Sequence, residues 1–248
     1  LYPDLQRPEL ASSVVVFHQR FSTNTSPRWP LAQPFRMLAH NGEINTISGN
    51  RVWAQARAHV WRTEALDPSE FDTPIEVAGS DSMSLDSMLE LLQAGGMDLL
   101  KALRVVIPPA TQSLEYKDAD LLAFYEYYAI NSEPWDGPAG IVAFDGRYAA
   151  CTTDRNGLRP ARWQLSDQRV FMVASETGVW DVDDARILAK GKLGPGQMIA
   201  ADLDTGRLLD TDAIDGINRA RAPYKQWLKQ GMTYLHLSLI HIPQGIVR

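Results

Sequence analysis

The sequence predicts an α+β fold in which antiparallel sheets are covered by helical layers. Short apolar segments are joined by turn dipeptides, as where Asp145-Gly146 separates Gly140–Phe144 from Arg147–Thr153. Similar paired segments recur at 162–174 and 197–209. The helical patterns are instead grouped together, whereas a doubly wound parallel sheet needs a helix after nearly every strand.

The N-terminal half contributes two predicted strands and three predicted helices. Val14–Phe17 is β-branched and apolar, which is typical of a strand buried on both faces. Arg36–His40 predicts a second short strand, ended by the turn dipeptide Asn41-Gly42. Apolar residues at helical spacing predict helices over 50–62, over a segment that contains Leu85, Met88, Leu89 and Leu92, and over about 118–130.

The composition is that of a globular protein and excludes several functions. The chain has 248 residues, of which 45% are hydrophobic and 22% charged, with a net charge of -6. An acidic chain argues against a general nucleic-acid surface, and no apolar run approaches the ~20 residues that span a bilayer. One cysteine, Cys151, allows no intrachain disulfide and suits a reducing, cytoplasmic setting. No metal-binding motif is present, so we expect no metal site.

The first candidate group is the polar sequence His18-Gln19-Arg20-Phe21-Ser22-Thr23, which directly follows the apolar segment. An arginine at the mouth of a buried strand is costly unless it meets an anion, and its planar fork matches a carboxylate. The group therefore predicts a clamp for a substrate carboxylate. An internal salt bridge to an aspartate or glutamate is the alternative.

The second candidate group is the turn His40-Asn41-Gly42-Glu43. A strand that ends in Asn-Gly can present the Asn side-chain amide and the Gly backbone N–H on one side. Two such donors form an oxyanion hole. The alternative is an ordinary turn, in which Asn-Gly is favoured for its tolerance of positive φ.

The third candidate is Asp81, in the sequence Gly79-Ser80-Asp81-Ser82 before the second predicted helix. Its carboxylate could accept a hydrogen bond from a substrate ammonium group. Asp81 and Ser82 also stand where a helix N-cap is expected, so a plain capping role is the alternative.

Taken together, these groups resemble the signature of a known family. The sequence FHQRFSTNTSPRWPLAQPFRMLAHNGEINTISGNR is similar to that of the class II glutamine amidotransferase domain of glutamate synthases. Ser80-Asp81-Ser82, Asp154–Pro160 and Ala174–Gly178 also match, in the same order. The resemblance implies a partial amidotransferase domain over 1–235, with the four-layer αββα sandwich of N-terminal nucleophile hydrolases, truncated at its N-terminus.

The resemblance also implies roles for individual residues. Arg20 would hold the α-carboxylate of glutamine, and Asp81 would hold its α-ammonium group with help from the Gly42 carbonyl. The Asn41 side chain and the Gly42 N–H would form the oxyanion hole. Ser22 and Thr23 would line the pocket. The segment Asp154–Pro160 receives no role.

The nucleophile of the resembled family is not in this chain. Class II amidotransferases use an N-terminal cysteine whose thiol attacks the amide and whose α-amino group acts as base. No cysteine precedes His18, and Cys151 lies in a predicted strand, where a packed core role is expected. The first residue is Leu1, and we expect the sequence to begin inside a longer reading frame. The chain alone is therefore expected to have no glutaminase activity.

The resemblance implies a parent enzyme that releases ammonia from glutamine and uses it for reductive amination of 2-oxoglutarate to glutamate. FMN, an iron–sulfur cluster and NADPH or ferredoxin are expected there, with no cofactor on this chain. Glutamine, the synthase domains of the same polypeptide and a small electron-transfer subunit are the expected partners, without nucleic acid or membrane.

Two other functions stay open at this point. One is another class II amidotransferase, which would feed ammonia to a different acceptor. The other is a non-catalytic module that only binds glutamine or glutamate. Residues 236–248 match nothing in the family, and we expect this tail to be non-native sequence, with a genuine short strand as the alternative.

Overall fold

The secondary structure comes from a computed structural model, which describes residues 2–21, 25–63, 67, 73–112 and 118–233. The strands are β1 (Leu38–Gly42), β2 (Ala139–Phe144), β3 (Tyr148–Thr153), β4 (Arg162–Ser166), β5 (Phe171–Ala174), β6 (Ile187–Lys192), β7 (Met198–Asp202) and β8 (Arg207–Leu209). The helices are α1 (Ile47–Arg57), α2 (Asp81–Ala94), α3 (Leu99–Val106), α4 (Ala119–Asn131), α5 (Thr211–Arg219) and α6 (Tyr224–Gly231).

The main sheet has five antiparallel strands in the order β1-β2-β3-β7-β8. The predicted hairpin forms its centre, where Val142 pairs with Cys151. Along β1 the register places Asn41 opposite Gly140 and Gly42 opposite Ala139. The end of β1 therefore lies beside the start of β2, which is where the candidate oxyanion residues are held.

A second antiparallel sheet, in the order β5-β4-β6, packs on one face of the first. Cys151 and Ile199 of the main sheet meet Trp163, Phe171 and Val173 of the second sheet in a shared apolar layer. Gly191 leaves room for the Trp163 ring, because an added Cβ would lie 2.9 Å from the indole Nε1. The hairpins predicted at 162–174 and 197–209 are confirmed.

Helices cover the other face of the main sheet. The largest buried cluster contains Leu85 and Leu89 of α2, Leu103 of α3, Ile141 of β2 and Ile214 of α5. Burial alternates along β2 because alternate side chains enter the helical layer and the layer between the sheets. The prediction of an α+β sandwich of antiparallel sheets is confirmed. In the described part of the chain, three layers are seen: helices, five-stranded sheet and three-stranded sheet.

The predicted strand Val14–Phe17 is wrong. These residues have no regular secondary structure, and Val15 and Phe17 are 71% and 58% exposed. An apolar β-branched segment becomes a strand only where another strand pairs with it. None of the described strands pairs with this segment.

Four of the described helices begin at a residue whose side chain caps the helix N-terminus. Ser80 caps α2 by accepting a hydrogen bond from Met83 N at 3.1 Å, so the predicted cap at Asp81 and Ser82 is displaced by one residue. Asp118 caps α4, which begins where the helix over about 118–130 was predicted to begin. Helices α3, α5 and α6 were not predicted, although Asp98 and Asp210 mark the first two with the same kind of cap. Among the described helices, none is long and apolar enough to cross a membrane.

Candidate active site

The candidate site is centred on the end of β1, where two backbone segments touch. Glu43 N donates to the Pro138 carbonyl at 2.9 Å. Gly42 has φ +147°, and a Cβ there would lie 1.8 Å from that same oxygen. Gly137 has φ +156°, and its Cβ would lie 2.0 Å from the Glu43 carbonyl. Only glycine fits at either position, so the two segments hold each other in place.

Asn41 is the last-but-one residue of β1 and pairs with Gly140, so Asn41-Gly42 ends a strand and does not close a hairpin. The Asn41 side chain is half-buried and forms no hydrogen bond with any of the residues that the structure describes. Its amide is thus available as a donor. This arrangement favours the oxyanion interpretation over the ordinary turn.

Asp81 contacts the same turn from helix α2. Its Oδ2 accepts a hydrogen bond from Ile44 N at 2.7 Å, and its Oδ1 accepts one from Ser82 N at 2.7 Å. Oδ1 also accepts a long hydrogen bond from Ser82 Oγ at 3.4 Å. A carboxylate has about four acceptor positions, so one remains for a substrate ammonium group. Asp81 is not the helix cap, and the alternative of a plain capping role is wrong.

His40 links the other candidate groups to this turn. Its side chain is 4% exposed, and its Nε2 lies 3.0 Å from where a Gly42 Cβ would be. Burial lowers the pKa of His40 to about 4, while the Asp81 carboxylate opposes that shift. Positive charge on His18 and on Arg159 lowers the pKa of His40 further. Charged side chains from three separate segments therefore act electrostatically on one buried imidazole.

We expect His40 to make stability depend on pH. Its pKa is about 4 in the folded chain against 6.5 in the unfolded one, so its contribution is complete above 6.5 and is lost as pH falls toward 4. Between about pH 7 and about pH 5 the loss is on the order of 2 kcal/mol. Urea denaturation at the two pH values should show a clearly smaller loss for His40→Gln than for the original chain. His59→Gln, at an exposed position, is the matched control, and equal losses in all three proteins would contradict the assignment.

Arg20 lies on the exposed segment that precedes the site. Burial is the main cause of the lowered pKa of His18, and the Arg20 backbone opposes that shift. Within the described ranges no carboxylate forms an ion pair with Arg20, so the internal salt bridge is not found. Among the described residues, Arg20 therefore has no anionic partner. Ser22 and Thr23 lie outside the described residues.

Cys151 is a packed core residue, as predicted. It lies on β3 between the two sheets, it is 2% exposed, and burial raises the pKa of its thiol to about 12. A neutral, enclosed thiol is not a nucleophile. In the part of the chain that the structure describes, no three histidine, cysteine, aspartate or glutamate residues gather as metal ligands would.

Sequence reasoning missed the contribution of the segment Trp135–Pro138. Asp136 O accepts a hydrogen bond from Thr46 N at 3.2 Å, and Pro138 O accepts the one from Glu43 N. These contacts join residues about ninety positions apart in the chain. The Gly137-Pro138 dipeptide is typical of a turn or loop. The dipeptide alone does not indicate which other segment of the chain lies against this loop.

Comparison with known proteins identifies the family. A profile described as "Glutamine amidotransferases class-II" matches residues 1–227. The chain belongs to the class II glutamine amidotransferase family.

The curated relatives include ferredoxin-dependent glutamate synthases. The chloroplastic protein of Oryza sativa subsp. japonica is 44% identical over 238 residues, which are 92% of this chain and 14% of that protein. The second such protein of Synechocystis sp. is 43% identical over 233 residues, again 92% of this chain and 15% of the relative. The chain thus spans about one seventh of their length. A glutamine phosphoribosylpyrophosphate amidotransferase from B. subtilis shares 18% identity at a TM-score of 0.45, over 78% of this chain and 33% of that one.

Proposed function

We propose that this chain, over 1–235, is part of the glutamine-hydrolysing domain of a glutamate synthase. The observation that carries the proposal is the strand end Asn41-Gly42, whose side-chain amide has no partner among the described residues. Asp81 contacts the adjoining turn, and His18, two residues before Arg20, lies within electrostatic reach of His40. Class II family membership and the identity to glutamate synthases support the same function.

In this proposal the two charged groups of glutamine have one counter-charge each. The guanidinium of Arg20 binds the α-carboxylate as a planar fork. The carboxylate of Asp81 uses its remaining acceptor position for the α-ammonium group, together with the Gly42 carbonyl. Ser22 and Thr23 line the pocket. The side-chain amide of glutamine is then directed toward Asn41.

The chemistry in the proposal is acyl transfer through a thioester. A cysteine thiol from the parent polypeptide attacks the amide carbon, and the carbonyl electrons move onto oxygen. The Asn41 amide and the Gly42 N–H donate to that oxyanion. Collapse of the intermediate expels ammonia, which leaves with the thiol proton, and water then cleaves the thioester to release glutamate and the thiol.

The remaining steps belong to the rest of the parent polypeptide in this proposal. The ammonia reacts with 2-oxoglutarate, and reduction of the imine gives glutamate. FMN and an iron–sulfur cluster serve the reduction, and the names of the relatives favour ferredoxin over NADPH as electron source. A chain with one cysteine cannot supply the thiolates of an iron–sulfur cluster, so those sites are proposed elsewhere in the parent, in a cytoplasmic setting.

The test is glutamine-dependent ammonia release by the parent polypeptide that carries the nucleophilic cysteine. Ammonia and glutamate in equal amounts are expected from L-glutamine. Glutamine binding without turnover would replace the proposal with a non-catalytic binding module. Turnover without amination of 2-oxoglutarate would indicate a different class II amidotransferase.

Arg20→Leu should raise the KM for glutamine by about tenfold to a hundredfold. This range corresponds to the free energy of one charge-assisted hydrogen bond. The reason is that leucine keeps the bulk of the side chain and removes its only positive charge. Steady-state ammonia release over a glutamine series measures the change. Arg28→Leu removes another exposed arginine and serves as the control. An unchanged KM in Arg20→Leu would remove Arg20 from the site.

A further inference from the structure

The segment Asp154–Pro160, for which the sequence gives no role, begins with a carboxylate that is fully engaged inside the protein. Asp154 is 2% exposed. Its Oδ2 accepts hydrogen bonds from Ala139 N and Leu158 N, each at 3.0 Å, and its Oδ1 accepts one from Asn156 N at 2.9 Å. A buried carboxylate with three N–H donors is fixed in both position and direction.

One of those three donors belongs to the peptide group that supports the candidate oxyanion hole. The Pro138 carbonyl and the Ala139 N–H are the two ends of a single peptide unit. Asp154 holds the N–H end, and Glu43 N donates to the carbonyl end at 2.9 Å. Asp154 N also donates to Ala139 O at 2.8 Å. A rotation of this peptide would therefore displace the backbone on which Gly42 rests.

The other end of the segment lies over Asn41. A Cβ placed on Gly140 would lie 3.4 Å from Arg159 Cβ, 3.6 Å from Pro160 O and 3.8 Å from Asn41 O. Gly140 is the register partner of Asn41. The segment consequently meets the start of β2 at two neighbouring residues, Ala139 and Gly140, which are the register partners of Gly42 and Asn41.

We propose that Asp154 is a positioning residue for the oxyanion donors, acting on Asn41 and Gly42 through the Pro138–Ala139 peptide. This inference rests on the proposed function, because it assigns Asp154 to the same reaction. Asp154 does not touch substrate. Its effect is expected on the step in which negative charge develops on the amide oxygen, while the groups that bind the amino-acid end of glutamine keep their places.

Asp86 is a second buried aspartate that resembles Asp154 and can serve as its control. Asp86 is 4% exposed and also accepts three backbone N–H groups, from Arg36, Met37 and Leu38, at 3.0 to 3.2 Å. It holds the start of β1, whereas Asp154 holds the peptide that supports the end of that strand. Loss of either carboxylate leaves three backbone donors without an acceptor, one of them in a buried hydrogen bond in each case, so both losses should destabilise the fold to a similar degree.

The experiment compares Asp154→Ala and Asp154→Asn with Asp86→Ala and Asp86→Asn in the parent polypeptide. Glutamine hydrolysis is measured per folded molecule, at a temperature well below every unfolding transition. Both Asp154 variants should lower kcat, by about tenfold to a hundredfold for alanine and less for asparagine, which keeps one acceptor oxygen, with little change in KM. Both Asp86 variants should change kcat by less than about twofold.

A second measurement uses this chain alone and needs no turnover. Hydrogen exchange at the Glu43 amide should accelerate more in Asp154→Asn than in Asp86→Asn, because only the first variant adds a local loss of support at the Pro138–Ala139 peptide to the shared destabilisation. Equal acceleration in the two variants would count against the positioning role. Equal kcat losses per folded molecule at the two positions, or unchanged exchange at Glu43 in Asp154→Asn, would overturn the positioning role. Failure of the proposed function is a different result, since the unmodified parent would then release no ammonia.

Discussion

Asn41→Ala is expected to lower kcat for glutamine hydrolysis ~10²–10³-fold in the parent polypeptide, with little change in KM. The Asn41 amide has no partner among the described residues, so in the proposed function it can donate to the oxyanion. An oxyanion exists only after attack on the amide carbon. An interaction made only then affects kcat and leaves ground-state binding unchanged.

Asn45→Ala is the control for this prediction. Asn45 is an exposed asparagine four residues further along the chain, beyond the end of β1. Its removal should leave both kinetic constants near their original values. If Asn41→Ala and Arg20→Leu both raised KM and left kcat unchanged, Asn41 would be a binding group and the oxyanion role would be lost.

Gly42→Ala is expected to destabilise the chain by on the order of 3–5 kcal/mol, since it combines overpacking with an unfavourable φ. The methyl group would lie 1.8 Å from Pro138 O and 2.7 Å from Pro138 C. Neither atom belongs to a flexible side chain, so the backbone itself must move. Urea denaturation monitored by tryptophan fluorescence measures the loss.

Gly49→Ala supplies the control for the same chemical change. Gly49 lies in helix α1, and an added Cβ there meets nothing within 4 Å. Alanine should stabilise the helix by about 0.5–1 kcal/mol, because it restricts the unfolded chain and favours helix. A Gly42→Ala protein as stable as the original would show that the contact between the turn and Pro138 does not exist.

The hairpins and the polar candidates were predictable because their signals are local. Asp145-Gly146 identifies the turn of the β2–β3 hairpin in the sequence itself, and Asp118 identifies the start of α4. Asn41 and Asp81 were found for the same reason, since polar residues at the ends of strands and helices are visible without knowledge of the fold. Their roles toward glutamine stay predictions.

The features that sequence reasoning missed depend on distant contacts. Gly137 matters because Glu43 approaches it, and Asp154 matters because Ala139 donates to it. No local pattern contains that information. Val14–Phe17 shows the opposite error, in which local β propensity predicted a strand without regard to a partner. Both errors come from interactions between segments that the sequence alone does not place together.

Because Cys151 is enclosed between the two sheets, the reactivity of its thiol reports how often the sheets separate. An alkylating reagent cannot reach the sulfur while the two sheets stay in contact, because the side chain is almost entirely covered. Each molecule in which Cys151 is alkylated has therefore opened at least once, with its two sheets apart. The rate of alkylation under native conditions measures how often the sandwich opens.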